Sequence, residues 1–239
     1  MTQPSSPRRV ALLAPMRSEL LPLVRTLALQ RSGSGRDALY TGSLGRVEIV
    51  AVQTGIGVRL AARAVERVLA SAAIDHVVVV GVAGGIGASV SIGDLVVPDV
   101  VVDLDTGARF RPAPLGDTPA RGALLTADGL LTDPALFARF DREGAVAIDM
   151  ETAAVAASCE RRALPWSVFR AISDHTSDGT IDPAVFAMTG PDGEAKPGAV
   201  ARFLITQPWR IPQLVHLARG LKLATQTAAS ACARALATL

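Results

Sequence analysis

Four groups of residues in this 239-residue chain are of types and spacings that do chemistry. Glu19 follows a short apolar run. Two glycine clusters, Gly55-Ile56-Gly57 and Gly81 to Gly87, interrupt β-type stretches. Asp149-Met150-Glu151 stands between an apolar run and an Ala-rich one, and Ser173-Asp174 closes another apolar run. Each group has a purely structural reading. An acid in the first turn of a helix favours the macrodipole, a glycine pair makes a tight turn, and Ser-Asp suits a loop. A dinucleotide fingerprint needs the full G-x-G-x-x-G spacing with an acid at the next strand's end, and neither cluster has both. No Gly-Lys-Ser/Thr follows either one, so a Walker-type phosphate loop is excluded. What the groups share is position: each lies just beyond an expected strand end, where open α/β sheets bind ligands. Together they point to one pocket.

The elements that must position these groups are legible as periodicity. Val10 to Ala14 reads as a first strand. Met16, Leu20, Leu23, Val24 and Leu27 then recur at helical spacing. Ala38 to Thr41 and Val47 to Val52 read as a hairpin. Gly55 to Gly57 opens a helix over Val58 to Ala73. His76 to Val80, β-branched without alternation, reads as a strand buried on both faces and ending at the second glycine cluster. Strands follow at 93–97, 100–102 and 123–126, separated by an irregular Pro- and Gly-rich loop over 106–121. A short helix over 132–140 takes Thr132 or Asp133 as its cap before Pro134. Val146 to Asp149 hands over to a helix, and Trp166 to Ile172 is a strand stopping at Ser173-Asp174. Helices are expected over 199–206 and 211–239.

This alternation predicts a single α/β layer domain. It spans 10–239 after a flexible polar tail at 1–9, with an extended C-terminal helical segment from about 199. Composition agrees: 49% hydrophobic and 19% charged residues suffice for a real core. With 24 Lys+Arg against 22 Asp+Glu, the net charge of +2 gives no nucleic-acid footprint. No apolar run reaches the roughly 18 residues of a membrane span. The start resembles a signal peptide, but its apolar run stops at Arg17 and Glu19 without a cleavage site, so a cytoplasmic location is expected. Cys159 and Cys232 have no partner spacing and read as buried small hydrophobes. His76, His175 and His216 have no mutual metal spacing, and His175 reads as a loop residue beside Asp174.

The blocks Ala-Pro-Met-Arg-Ser-Glu-Leu (14–20), Thr-Gly-Ile-Gly (54–57), Gly-Val-Ala-Gly-Gly (81–85) with Ile-Gly-Asp-Leu-Val-Val (92–97), Asp-Met-Glu-Thr-Ala-Ala-Val-Ala (149–156) and Arg-Ala-Ile-Ser-Asp (170–174) resemble, in order and spacing, the nucleoside phosphorylase/nucleosidase superfamily. Within it they are most similar to 5'-methylthioadenosine/S-adenosylhomocysteine nucleosidases. The resemblance covers about residues 10–175. It implies a single three-layer α/β domain, a mixed, mostly parallel twisted sheet flanked by helices, and an N-glycosidase acting on a purine nucleoside, a 5'-substituted adenosine, usually a homodimer and without metal or organic cofactor; composition already speaks against a nucleic-acid or membrane partner. By the same resemblance, Asp174 protonates the purine at N7 with Ser173 orienting it. Glu151 grips the ribose hydroxyls with Met150 against the sugar, Glu19 activates the attacking water, and Arg170 holds that water. Val82, Ala83, Gly84, Leu130, Leu131 and Asp149 fall in the substrate-binding region, and Arg17, Gly55, Ile56 and Gly57 in the nucleophile or phosphate region. Cleaving the C–N bond builds positive charge on the sugar and negative charge on the leaving base, so a proton source and a carboxylate near the ribose suit the reaction.

The pattern departs from the nucleosidases at Val82, where a Ser or Thr is common, at Leu130, which replaces an aromatic, and in a shorter loop at 103–121. Pro-Asp-Gly (191–193) and Pro-Trp-Arg-Ile-Pro-Gln-Leu (208–214) before a long Ala/Leu helix resemble the hopanoid-associated phosphorylases of the same superfamily. Phosphorolysis, with phosphate as co-substrate held by Arg17 or Arg59, is therefore the alternative to hydrolysis. Glu19 would repel phosphate and favours water. A non-catalytic nucleoside-binding relative predicts loss of Asp174 or Glu151, and both are present.

Overall fold

In a computed structural model, which describes residues 8–35, 38–190 and 192–239, the first strand is built to be covered twice. β1 (Arg8–Ala14) sends Val10, Leu12 and Ala14 into one core cluster and Ala11 and Leu13 into another. Successive strand side chains face opposite ways, so its unbroken apolar run requires a helical layer on each face. One layer holds α1 (Arg17–Thr26), through Leu20 and Leu23, and the C-terminal half of α7 (Ile211–Leu236), through Ala224, Ala228 and Cys232. The other holds α2 (Val58–Ser71), through Ala61, Val65 and Val68, and α4 (Thr152–Glu160), through Ala153 to Ala156. The three-layer α/β expectation is met.

The remaining strands are β2 (Gln30–Ser32), β3 (Leu39–Leu44), β4 (Val47–Gln53), β5 (His76–Gly85), β6 (Leu95–Val96), β7 (Val100–Asp103), β8 (Arg109–Phe110), β9 (Ala123–Thr126), β10 (Ala145–Asp149) and β11 (Trp166–His175). They form one mixed sheet in the order β2-β3-β4-β1-β5-β10-β9-β7-β8, with β11 pairing β5 in parallel and β6 antiparallel. β5 is the hub. Its first half pairs β1, its whole length pairs β11, and Gly84 and Gly85 pair β10 antiparallel. α3 (Pro134–Arg142) starts on Asp133, whose side chain accepts the Ala135 N–H, with Pro134 in the first turn.

Several expected boundaries move. Residues 1–7 of the expected polar tail lie outside the described residues, and Arg8 and Arg9 already belong to β1. The second glycine cluster is not a strand-to-helix turn. β5 continues through it to Gly85, matched residue by residue with β11. β11 likewise does not stop at Ile172 but runs to His175, so His175 is a strand residue rather than a loop residue. A register shift between Ile172 and Asp174 leaves Ser173 as an extra residue. Such a bulge re-aims side chains, and both Ser173 and Asp174 face the same cavity. β8 interrupts the expected irregular loop, and α5 (Pro183–Phe186) and α6 (Pro197–Thr206) follow β11. Cys159 and Cys232 are free and buried. His76 is buried against Ser167 Oγ at 2.8 Å.

Candidate active site

A cavity of about 430 Å³ opens where α1, β5, β10 and β11 end. Its wall brings together Glu19, Ile56, Val82, Ala83, Gly84, Leu130, Leu131, Asp149, Met150, Glu151, Ser173 and Asp174. These come from six separated stretches of sequence.

Glu19 is the third residue of α1. Its Oε2 accepts the Met16 N–H at 2.6 Å, capping its own helix, while Oε1 accepts the Val82 N–H at 2.8 Å across the sheet. Gly81 makes this approach possible: a Cβ there would stand 2.3 Å from Glu19 Oε1 and 2.6 Å from Arg170 Nη1. Glu151, at the entry of α4, accepts the Gly57 N–H on Oε1 at 2.9 Å. Gly57 has φ +100°, a conformation that side chains rarely adopt, and this points its N–H at Glu151 ahead of α2. Thus the first glycine cluster works through its backbone. Ile56 lines the cavity, while Gly55 and Gly57 stand behind it.

Arg170 is fully buried and is not on the cavity wall. Its Nη2 donates to Asp149 Oδ2 at 2.6 Å and to Glu151 Oε2 at 3.2 Å, and its Nη1 lies 3.6 Å from Glu19 Oε1 and 3.2 Å from the Val82 carbonyl oxygen. One guanidinium therefore serves three carboxylates. Arg170 thus lies beneath the cavity wall, behind the carboxylates it pairs with, and its Nε is left without a hydrogen-bond partner. Asp149 lines the cavity and is tied into the same cluster. Its oxygens accept from Thr126 Oγ1 at 2.7 Å, from Thr152 Oγ1 and from Arg170, fixing the strand-to-helix corner that presents Met150 and Glu151.

The electrostatics follow from this arrangement. Burial pushes the Glu19 carboxyl up to about 7, against the pull of Arg170 and two N–H donors. Burial also lifts Glu151 to about 7, with Arg170 again opposing and Asp149 reinforcing. Burial alone would lower Arg170, but the three carboxylates around it raise it, so it stays charged. In the same cavity, burial raises Asp174 above the usual carboxylate range, while Ser173, donating to its Oδ1 at 2.5 Å, and the neighbouring His175 hold it down. The cavity thus combines two carboxyls that change protonation near neutrality with a third acid outside the Arg170 cluster, the separation of roles that proton transfer needs.

The sequence missed part of the wall. Leu130 is not aromatic, but Phe137 of α3 and Phe186 of α5 line the same cavity, with Met16, Ile181 and Pro183 adding apolar surface. Phe137 sat at helical spacing in an expected helix and was available as a signal. α5 is a single turn inside a Pro- and Gly-rich stretch and gave none. Arg17 does not reach the cavity: it lines a smaller one of about 300 Å³ with Arg31 and Tyr40, and Arg59 is exposed on α2. Among the described residues the main cavity has no Lys or Arg on its wall, and no group of three or more His, Cys, Asp or Glu side chains is placed to hold a metal ion.

These features can be set beside known proteins. A 5'-methylthioadenosine/S-adenosylhomocysteine nucleosidase of Anoxybacillus flavithermus is 27% identical over 196 residues, covering 69% of this chain and 84% of that protein. The crystal structure of the Neisseria meningitidis nucleosidase of the same name, in complex with methylthio-immucillin-A, superposes with a TM-score of 0.73 at 21% identity, covering 97% of this chain and 100% of the other. Futalosine hydrolase of Helicobacter pylori shares the fold equally well, with a TM-score of 0.73 at 17% identity over 98% of this chain and 99% of its own. The family model described as the phosphorylase superfamily matches residues 9–127 and 113–205, a span that carries every strand and all of the cavity's wall. By that match, the chain belongs to the phosphorylase superfamily.

Proposed function

We infer that this protein hydrolyses the N-glycosidic bond of a 5'-substituted adenosine, releasing adenine and the free sugar. The observation that carries the reading is the convergence of Glu19, Glu151 and Asp174, all buried, on one cavity. Asp174, held above its ordinary range, delivers a proton to N7 of the base as the C1'–N9 bond breaks and its electron pair leaves with the purine. Glu151 keeps lone pairs free beyond its bonds to Gly57 and Arg170, and accepts the ribose hydroxyls. Glu19, with an affinity for protons near neutrality, takes one from the water that attacks C1'. The carboxylates beside the sugar stabilise the positive charge that develops there. Met16, Ile56, Ile181, Pro183 and Phe186 supply an apolar wall that suits an apolar 5' substituent.

Hydrolysis is favoured over phosphorolysis by charge. A phosphate cradle uses arginines and N–H groups. Here no cation lines the cavity among the described residues, and Arg170 is already engaged by three carboxylates. The family's usual homodimer and a cytoplasmic location belong to the same reading, supported by the resemblance of the sequence blocks, and are checked by analytical ultracentrifugation and cell fractionation. The decisive experiment measures adenine release from 5'-methylthioadenosine, S-adenosylhomocysteine and adenosine with and without phosphate. Equal release of free sugar in both conditions is expected. Release that requires phosphate, with sugar 1-phosphate as product, overturns hydrolysis, and no release from any of them overturns the substrate class.

A further inference from the structure

From residue 195 to the end the chain has no Asp or Glu, yet it carries Lys196, Arg202, Arg210, Arg219, Lys222 and Arg234. Since the whole chain is only +2, the part before this segment is net negative. The same segment holds every large hydrophobic side chain that is exposed among the described residues: Leu204, Ile205, Trp209, Ile211, Val215 and Leu223. Ile205 and Trp209 are 79% and 72% exposed, far beyond what packing on this chain would leave. They sit where α6 turns through Pro208–Arg210 into α7. On α7, Ile211, Val215, Arg219 and Lys222 recur at four-, four- and three-residue intervals, so they form one stripe, and all four are exposed. Arg202, Arg219 and Lys222 have no acidic partner within ion-pair distance among the described residues. Arg210 is different: it pairs with Asp182 at 2.9 Å and lies over the Phe203 ring at 4.9 Å.

We propose that this face, the C-terminal end of α6, the turn and the exposed stripe of α7, docks the protein on an anionic lipid bilayer surface. Exposed Trp and Ile side chains flanked by unpaired Arg and Lys are what an interfacial segment presents: the apolar groups enter the headgroup boundary and the cations meet anionic lipids. Trp in particular prefers that boundary. No helix among the described residues is long and apolar enough to cross a membrane, so the attachment is peripheral. A second copy of the same face fits poorly, because a two-fold contact sets cations against cations with no acid in the segment to offset them. The site's position follows from two links. The Arg210–Asp182 pair and the bond from Gln213 Nε2 to the Thr180 carbonyl oxygen at 2.6 Å tie the turn and the start of α7 to the stretch 180–186, whose Ile181, Asp182, Pro183 and Phe186 line the cavity. Docking therefore brings this wall of the cavity close to the headgroups.

The test uses the full chain and two kinds of vesicle, phosphatidylcholine alone and an equal mixture of phosphatidylcholine and phosphatidylglycerol. Co-sedimentation with the mixed vesicles, little with phosphatidylcholine alone, and loss at high salt are expected. Tryptophan emission should shift to the blue on binding. The shift belongs to Trp209, because Trp166 is already only 2% exposed. Ile205→Ser with Trp209→Ser should abolish the shift and lower partitioning at least about tenfold, and Arg202→Glu, Arg219→Glu or Lys222→Glu should each lower it about fivefold or more. All these side chains are exposed and none lines the cavity that holds Glu19, Glu151 and Asp174, so melting temperature and turnover of soluble substrate should stay unchanged. Absence of binding to mixed vesicles at low salt overturns the proposal, as does binding that the substitutions leave intact. Concentration-dependent self-association that Trp209→Ser abolishes, without vesicle binding, overturns it in favour of a contact between copies.

Discussion

Glu19→Gln separates the electrostatics of the site from its packing. In the folded protein Glu19 binds its proton with a pKa of about 7 against an ordinary value of 4.5. The folded state therefore holds a proton between these values that the unfolded chain has lost, and stability falls as pH rises through that window. At 1.36 kcal/mol per pKa unit the full effect is about 3 kcal/mol, of which about 2–3 kcal/mol separates pH 5 from pH 8. Gln cannot titrate, so the variant lacks this dependence. It also has a cost that does not vary with pH: Glu19 accepts N–H groups on both oxygens, from Met16 and Val82, and a carboxamide serves only one of them. That loss is about 1–3 kcal/mol. Urea unfolding should show the variant less stable than the parent by about 1–3 kcal/mol at pH 5, and the difference should shrink by about 2–3 kcal/mol, or change sign, at pH 8. Turnover should fall about 10²- to 10⁴-fold at pH 8, because the proton acceptor for water is gone, and by much less at pH 5, where the parent's Glu19 already holds its proton. The parent's activity should lose its acidic limb near pH 7 as Glu19 takes up its proton. A stability difference that is the same at pH 5 and pH 8 within about 1 kcal/mol would refute the claim that burial rather than Arg170 sets the state of this carboxyl.

Three further substitutions probe the other arms of the site. Asp174→Asn keeps the shape and the Ser173 contact but has no proton to give, so kcat should drop about 10²- to 10⁴-fold with KM little changed, read from initial rates of adenine release. Glu151→Gln should weaken the grip on the ribose, raising KM about tenfold or more and narrowing the preference for a ribonucleoside over its 2'-deoxy analogue in competition assays. Gly81→Ala places a Cβ 2.3 Å from Glu19 Oε1. It should destabilise the fold by about 1–3 kcal/mol in urea and depress turnover together, whereas an alanine that leaves both unchanged would show that Glu19 and Arg170 do not need this contact.

The parts of the fold legible in the sequence are those whose cause is local. The β-branched run at His76–Val80 and the apolar run at Val10–Ala14 announce strands covered on both faces, and Asp133-Pro134 announces a helix start. What escaped has its cause elsewhere in the chain. Gly81 to Gly85 look like a breaker because glycines usually are one. Here the chain stays extended through them, and at Gly81 the missing side chain makes room for Glu19 and Arg170, which arrive from α1 and β11. The bulge at Ser173 leaves no trace in composition, since it is a property of the pairing with β5. The polar three-residue β2 and the single turn of α5 are too short for any periodicity.

The site itself divides the same way. The acids and the order of the blocks mark Glu19, Glu151 and Asp174, but a motif cannot say whether Arg170 meets the substrate or stands behind the residues that do. The distances place it behind the wall: with 2.6 Å and 3.2 Å contacts to Asp149 and Glu151, and with Glu19 at 3.6 Å, the guanidinium is fully buried and keeps only Nε without a partner. Burial raises Glu19 and Glu151, and one cation among three carboxylates cannot offset it, so both retain proton affinity near neutrality. In the proposed reaction, burial and this shortfall of two positive charges serve two ends at once: a base able to accept a proton from water, and a wall that disfavours phosphate. On that reading the same residues that drive the cleavage also select its nucleophile.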